Sequence, residues 1–172
     1  MYDIEKHIRG VPFVSPFSDL FSKAPQGSLH SFTYSPGYCD MDGGSHLTEL
    51  RKNENGEWNY ITSNRSEHSE PMTVSTYAVS EQKVSEFETF IKESKFTALS
   101  KRPKSDVFVT DYSPWHFGID FVSSASGKRS YERYNITEYK KYSDKDRGLM
   151  KEVLGRFHAL KGALISEVTE ND

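Results

Sequence analysis

The chain has 172 residues, a formal net charge of −3, 13% aromatic residues and a mean hydropathy of −0.71. This length fits one domain, and the aromatic residues supply enough core material to argue against a chain that is disordered throughout. A single cysteine, Cys39, excludes an intrachain disulfide, and no stretch approaches the ~18 apolar residues of a membrane-spanning helix.

The first 28 residues are interpreted as an arm that packs on the body of the protein. Pro12, Pro16 and Pro25 interrupt the apolar residues of this segment. Ser15 followed by Pro16 is typical of the start of a short helix. We therefore divide the chain into an N-terminal arm, residues 1–28, and a single α+β domain, residues 29–172.

Apolar and polar residues alternate from Leu29 onward, which predicts β-strands. Four strands are expected at residues 29–34, 46–52, 58–62 and 72–79. Asn55-Gly56 between the second and third strands is a hairpin signal, and the pair Pro36-Gly37 is expected to end the first strand. Short strands joined by turns indicate an antiparallel meander.

A helix and a hairpin are expected next. Ser80 is a suitable N-cap for a helix over residues 80–96, in which Val84, Phe87, Phe90 and Ile91 share one face. Trp115 and the alternating apolar residues up to 121 predict a strand, and residues 128–136 are expected to return as its partner.

The clearest pattern predicts a long C-terminal helix over residues 143–168. Ser143 is the expected N-cap, with Asp146 three residues later. Apolar residues then recur at steps of three and four: Leu149, Met150, Val153, Leu154, Phe157, Leu160, Leu164 and Val168. The predicted fold is therefore α+β, with an antiparallel sheet of about six strands and two helices on one face.

The densest polar stretch lies between the first two predicted strands. Asp40 and Asp42 are candidates for a metal site, but the spacing of the residues that follow does not match the calcium loop of an EF-hand. Cys39 with His46 as a base is a second alternative, since imidazolium activates a thiolate. The simpler interpretation is a turn, because Asp, Gly and Ser are the residues that turns use.

A second candidate is a ligand cleft at the start of the Trp115 strand. Asp111, Tyr112, Trp115 and His116 place a carboxylate, a phenol, an indole and an imidazole close together in sequence. The alternative is that Tyr112 and Trp115 are packing residues at a strand entry. His116 follows Trp115 directly, so the two side chains are expected on opposite faces.

The predicted last helix carries small residues on the side away from its apolar stripe. Gly148, Gly155 and Gly162 repeat every seven residues and share this side with Ala159. We expect this surface to be either exposed to solvent or a contact with another chain.

The sequence contains none of the compact catalytic motifs, such as a phosphate-binding glycine loop, Gly-x-Ser-x-Gly, His-Glu-x-x-His or Cys-x-x-Cys. The leading hypothesis is a non-catalytic protein-binding factor, such as an inhibitor, immunity or accessory protein, with no cofactor. The alternatives are a small enzyme or ligand-binding domain and a structural subunit of a homo-oligomer. The expected partner is another protein or a second copy. A membrane is not expected, nor is nucleic acid at a pI of about 6.1. A cytoplasmic location is expected, and a secreted mature form is also compatible with the sequence.

Overall fold

The computed structural model describes residues 23–39, 44–67, 69–106, 112–125 and 127–170. These residues form a seven-stranded antiparallel sheet with two α-helices and a short 3-10 helix. The predicted α+β class is confirmed. Residues 1–22 lie outside the described residues, so the packed N-terminal arm stays a prediction.

The sheet contains the predicted meander and the predicted hairpin. Its strands are β1 (Ser28–Cys39), β2 (Ser45–Lys52), β3 (Trp58–Arg65), β4 (Met72–Val79), β5 (Tyr112–Ala125), β6 (Lys128–Thr137) and β7 (Leu164–Glu170). Their order across the sheet is β6-β5-β1-β2-β3-β4-β7, and all described neighbours are antiparallel.

The helices are α1 (Glu81–Glu93), the 3-10 helix (Phe96–Lys101) and α2 (Asp144–His158). The hydroxyl of Ser80 accepts the backbone N–H of Lys83, as an N-cap should. Ser143 and Asp146 form the reciprocal capping box that the sequence predicts. None of these described helices has the length and apolarity needed to cross a membrane.

The core lies between the helices and one face of the sheet. Phe32 of β1 is fully buried, and its ring lies 5.1 Å from Phe87 of α1 and 4.6 Å from Phe157 of α2. Phe96 of the 3-10 helix lies 6.5 Å away. Because one side chain of a strand points to one face only, all three helices cover the same face of the sheet.

The prediction of a helix extending to residue 168 is wrong, since α2 ends at His158 and Leu164–Glu170 forms strand β7. Three apolar residues at helical spacing, Leu160, Leu164 and Val168, caused the error. Two features favour the strand: a helix would hold Gly162 in its interior, and Ile165 is one of several β-branched residues that follow. Pairing with β7 also satisfies backbone groups that would be unpaired at the edge of β4.

Strand β1 is longer than predicted, because Pro36 and Gly37 lie inside it. β1 pairs with β5 as far as Cys39, whereas its described pairing with β2 runs from Ser31 to Tyr34. Among the described residues, Pro36 therefore lies where β1 has a neighbour on one side, and there the missing N–H of proline is tolerated.

Candidate functional site

Strand β7 is the most unusual surface of the described chain. All seven of its residues are exposed, including the large apolar residues Leu164, Ile165 and Val168, which are 55%, 58% and 52% exposed. One side of β7 pairs with β4, and no strand among the described residues pairs with the other side. A free edge with exposed apolar residues is a template for pairing with another chain.

Several contacts fix β7 to the body of the sheet. The backbone N–H of Ala78 donates to the carbonyl oxygen of Ala163 over 2.8 Å, just before the strand begins. The hydroxyl of Ser75 donates to Oε2 of Glu167 over 2.9 Å. Gly162 packs so closely on the backbone of β4 that an added Cβ would overlap the carbonyl oxygen of Ala78. The strand is therefore held in place on one side, while its other side pairs with none of the described strands.

The opposite edge of the sheet, strand β6, is protected by charge. Lys128, Arg129 and Arg133 lie along it and are exposed. The guanidinium of Arg133 makes two hydrogen bonds, of 2.7 and 2.9 Å, to the carboxylate of Asp120 on β5. These hydrogen bonds hold the pKa of the Asp120 carboxyl below its usual value. Charged side chains of this kind discourage edge-to-edge pairing, and β7 has fewer of them.

A cleft of about 370 Å³ lies between α2 and strands β1 and β5. It is lined by the rings of Tyr34, Trp115 and Phe117, by the apolar side chains of Met150 and Leu154, and by the cationic side chains of Arg147 and Lys151. An apolar pocket with a few charged groups is the usual form of a small-molecule site.

A tyrosine–histidine pair lies near the C-terminal end of α2. The hydroxyl of Tyr60 lies 2.7 Å from Nδ1 of His158. Burial raises the pKa of Tyr60 to about 12. Burial, with a smaller contribution from the charge of Lys161, lowers the pKa of His158. Both groups are therefore neutral at pH 7, and the Tyr60 O–H can donate to the imidazole nitrogen.

The structure separates two of the four residues of the predicted cleft at the start of β5, Trp115 and His116. Trp115 lines the cleft beside α2, whereas His116 is on the other face of the sheet, as the alternation predicts. Asp111 lies outside the described residues, and so does the side chain of Tyr112. Of the four candidates, Trp115 is the one that the structure places in a cleft.

The three interpretations of the loop between β1 and β2, a metal site, a cysteine–histidine pair and a turn, stay predictions. Asp40 and Asp42 lie outside the described residues, as does the side chain of Cys39. His46 is exposed, with its Nδ1 3.0 Å from Oδ1 of Asn64. The described part of the chain contains no cluster of three or more potential metal-ligating residues.

The glycine stripe predicted on the last helix is shorter than expected. Gly148 and Gly155 lie on the exposed side of α2, where an added Cβ would meet nothing within 4 Å. Ala159 is the C-cap, and Gly162 lies beyond the helix against β4. The prediction that Gly162 shares a helix face with the other three residues is therefore wrong.

The sequence analysis missed two features of these candidate surfaces, the strand β7 and the cations of the cleft. The β-branched residues Ile165, Val168 and Thr169 after Gly162 are the signal that could have indicated a strand. Arg147 and Lys151 are four residues apart and flank the apolar stripe of α2, which is a weaker signal because cations commonly border such stripes.

The chain matches no protein-family model, no curated protein and no solved structure.

Proposed function

We propose that this protein is a non-catalytic protein-binding factor, of the inhibitor, immunity or accessory kind, that receives an extended segment of its partner beside β7. The observation that carries the proposal is the exposure of all seven residues of β7, with one side of the strand unpaired among the described residues. Strand addition is a common way to bind a peptide segment, because backbone hydrogen bonds give affinity and alternate side chains give specificity.

The exposed apolar side chains of β7 supply a driving force for this association. Leu164, Ile165 and Val168 are each more than half exposed. Full burial of such a side chain contributes about 1.5–3 kcal/mol, so covering half of it contributes about 1 kcal/mol. Three such contributions, added to the backbone hydrogen bonds of a new strand pair, offset part of the cost of association.

The charges of β7 favour a basic partner segment. The strand contains Glu167 and Glu170 and no basic residue. A cationic side chain opposite a glutamate stabilises a strand pair by roughly 0.2–1 kcal/mol, whereas like charges directly opposite destabilise it. Pairing with β7 of a second copy would bring the carboxylates of two strands together. The favoured occupant is therefore a lysine- or arginine-containing strand of another protein.

We also propose a cytoplasmic location. A chain with a single cysteine gains no intrachain disulfide from an oxidising compartment.

A short peptide that alternates lysine with valine tests the proposal, with a glutamate–valine peptide as its counterpart. Calorimetry should show that the lysine peptide binds at least about tenfold more tightly. The double substitution Ile165→Lys and Val168→Lys should abolish this binding, because it removes the apolar contacts and adds repulsion. Tyr131→Lys is the matched control, since Tyr131 is 56% exposed on β6, at the opposite edge.

Three results would overturn the proposal. The first is equal binding of the two peptides, and the second is an equal loss of binding with the β7 and the β6 substitutions. The third is a dimer in sedimentation velocity that Val168→Lys dissociates, because that result would assign β7 to a second copy of the chain.

A further inference from the structure

The cleft beside α2 has a built apolar floor. The rings of Tyr34 and Phe117 are 4.8 Å apart, and the ring of Trp115 lies 6.0 Å from Phe117. Tyr142 supports Trp115 from the side at 5.8 Å, and its hydroxyl donates to the carbonyl oxygen of Thr137 over 2.8 Å. This packing holds the indole in a fixed orientation at the cleft, so the floor is preorganised.

The wall of the cleft combines apolar and cationic side chains from α2. Met150 and Leu154 contribute apolar surface, and Arg147 and Lys151 contribute positive charge. Arg147 and Lys151 are one helical turn apart, so their charged groups lie on the same flank of the helix.

The two cations are not neutralised within the described part of the chain. The carboxylate of Asp146 is paired with Arg102 at 2.8 Å, and that of Glu152 with Arg156 at 3.0 Å. Asp144, in the first turn of α2, forms no ion pair with Arg147 or Lys151 among the described residues. Because these acids of α2 do not pair with Arg147 or Lys151, the two cations form a positive rim beside the apolar floor.

We propose that this cleft binds a small organic carboxylate with an apolar or aromatic body. The body packs on the partly exposed rings of Trp115 and Tyr34, with the buried ring of Phe117 behind them, and aromatic pairs gain energy beyond their area of contact. The carboxylate lies at the rim, where the guanidinium of Arg147 can bind it with two hydrogen bonds and Lys151 adds a second positive charge. The volume of about 370 Å³ falls in the range of about 300–1,000 Å³ that is typical of such sites.

This cleft is independent of the partner surface proposed above. Strands β2, β3 and β4 separate β1 from β7 in the sheet. Failure of one proposal therefore leaves the other standing.

Two pairs of probes test the inference by calorimetry: 2-naphthoate with 2-naphthol, and decanoate with decanol. The acid of at least one pair should bind, and at least about tenfold more tightly than its alcohol. The double variant Arg147→Gln and Lys151→Gln should bring the acid to the affinity of the alcohol. Lys145→Gln is the matched control, because Lys145 is exposed on α2 and does not line the cleft.

Trp115→Ala gives a second readout. Because it removes part of the floor, it should weaken the binding of both the acid and its alcohol. The inference is overturned if neither acid binds at about 1 mM, or if acid and alcohol bind equally. It is also overturned if Lys145→Gln weakens the acid as much as the double variant does. If Trp115→Ala weakens the binding of naphthoate more than that of decanoate, the ligand has an aromatic body. The opposite order indicates an alkyl body.

Discussion

Arg102 and Asp146 form a two-point ion pair that joins the end of the 3-10 helix to the start of α2. The Nη2 and Nε atoms of Arg102 lie 2.8 and 3.0 Å from Oδ1 and Oδ2 of Asp146. The same carboxylate accepts the backbone N–H of Ser143 over 3.0 Å as part of the capping box. One aspartate therefore both caps α2 and anchors it, which fixes the helix that forms the wall of the cleft.

Asp146→Asn should lower the free energy of unfolding by about 3 kcal/mol, because it removes the charged acceptor from a largely buried ion pair. Glu152→Gln is the control: it breaks the Arg156–Glu152 pair, whose side chains are 54% and 52% exposed, and leaves the contact of Arg156 with the ring of Phe90 in place. An exposed pair contributes about 0–1 kcal/mol. Urea denaturation at pH 7 measures both variants, and equal losses would contradict the anchoring role of Asp146.

The same ion pair predicts an acid dependence. Burial alone would raise the pKa of Asp146, but the hydrogen bonds from Arg102 and Ser143 outweigh burial and hold the pKa below its ordinary value of 3.8. The unfolded chain then binds this proton first, so the stabilisation is complete above about pH 4 and is lost as pH falls through the lowered pKa. The stability difference between the wild type and Asp146→Asn should shrink below pH 4 in urea titrations. A constant difference down to pH 2 would contradict this cause.

The two exposed glycines of α2 predict a stabilising substitution. Gly155→Ala should raise the free energy of unfolding by up to about 1 kcal/mol, because glycine is that much less favourable than alanine inside a helix and the added Cβ meets nothing within 4 Å. Gly162→Ala should destabilise the protein, since its Cβ would overlap the carbonyl oxygen of Ala78. Thermal denaturation shows whether each substitution raises or lowers the stability. Weakened self-association of the Gly155→Ala variant in sedimentation would show instead that this helix face contacts another chain.

His158 predicts a second pH dependence. Its pKa in the folded protein is lowered from the ordinary value of 6.5, first by burial and then by the charge of Lys161. The unfolded chain therefore binds a proton more readily, and stability should fall as pH drops from about 6.5 towards the lowered pKa. His158→Gln should flatten this part of the pH–stability curve. Tyr60→Phe should lower the free energy of unfolding by about 0.5–1.5 kcal/mol, because it removes the hydrogen bond to His158. An NMR titration of the His158 imidazole measures this pKa directly, and a midpoint at or above pH 6.5 would contradict the lowered pKa.

Local patterns predicted most of the fold. Phe117, Ile119 and Phe121 alternate with polar residues and lie buried on β5, and Ser143 with Asp146 marked the start of α2 correctly. These signals are reliable because caps and alternation depend on residues adjacent in sequence.

The end of α2 could not be predicted in the same way, because a distant strand decides it. Val168 continues the helical spacing of apolar residues, yet it pairs with Val74 on β4. Likewise, Trp115 was a candidate for a cleft, but Tyr34 and Arg147 were not. These three residues meet only through the pairing of β1 with β5 and the packing of α2, which no local pattern contains.

The central claim is that β7 accepts a partner strand, and backbone hydrogen exchange tests it most directly. In the free protein, β7 amides that do not face β4 should exchange rapidly. Saturation with the lysine–valine peptide should slow them by at least about tenfold and leave the amides of β6 unchanged. Protection of all β7 amides in the free protein, or no added protection with the peptide, would contradict the claim.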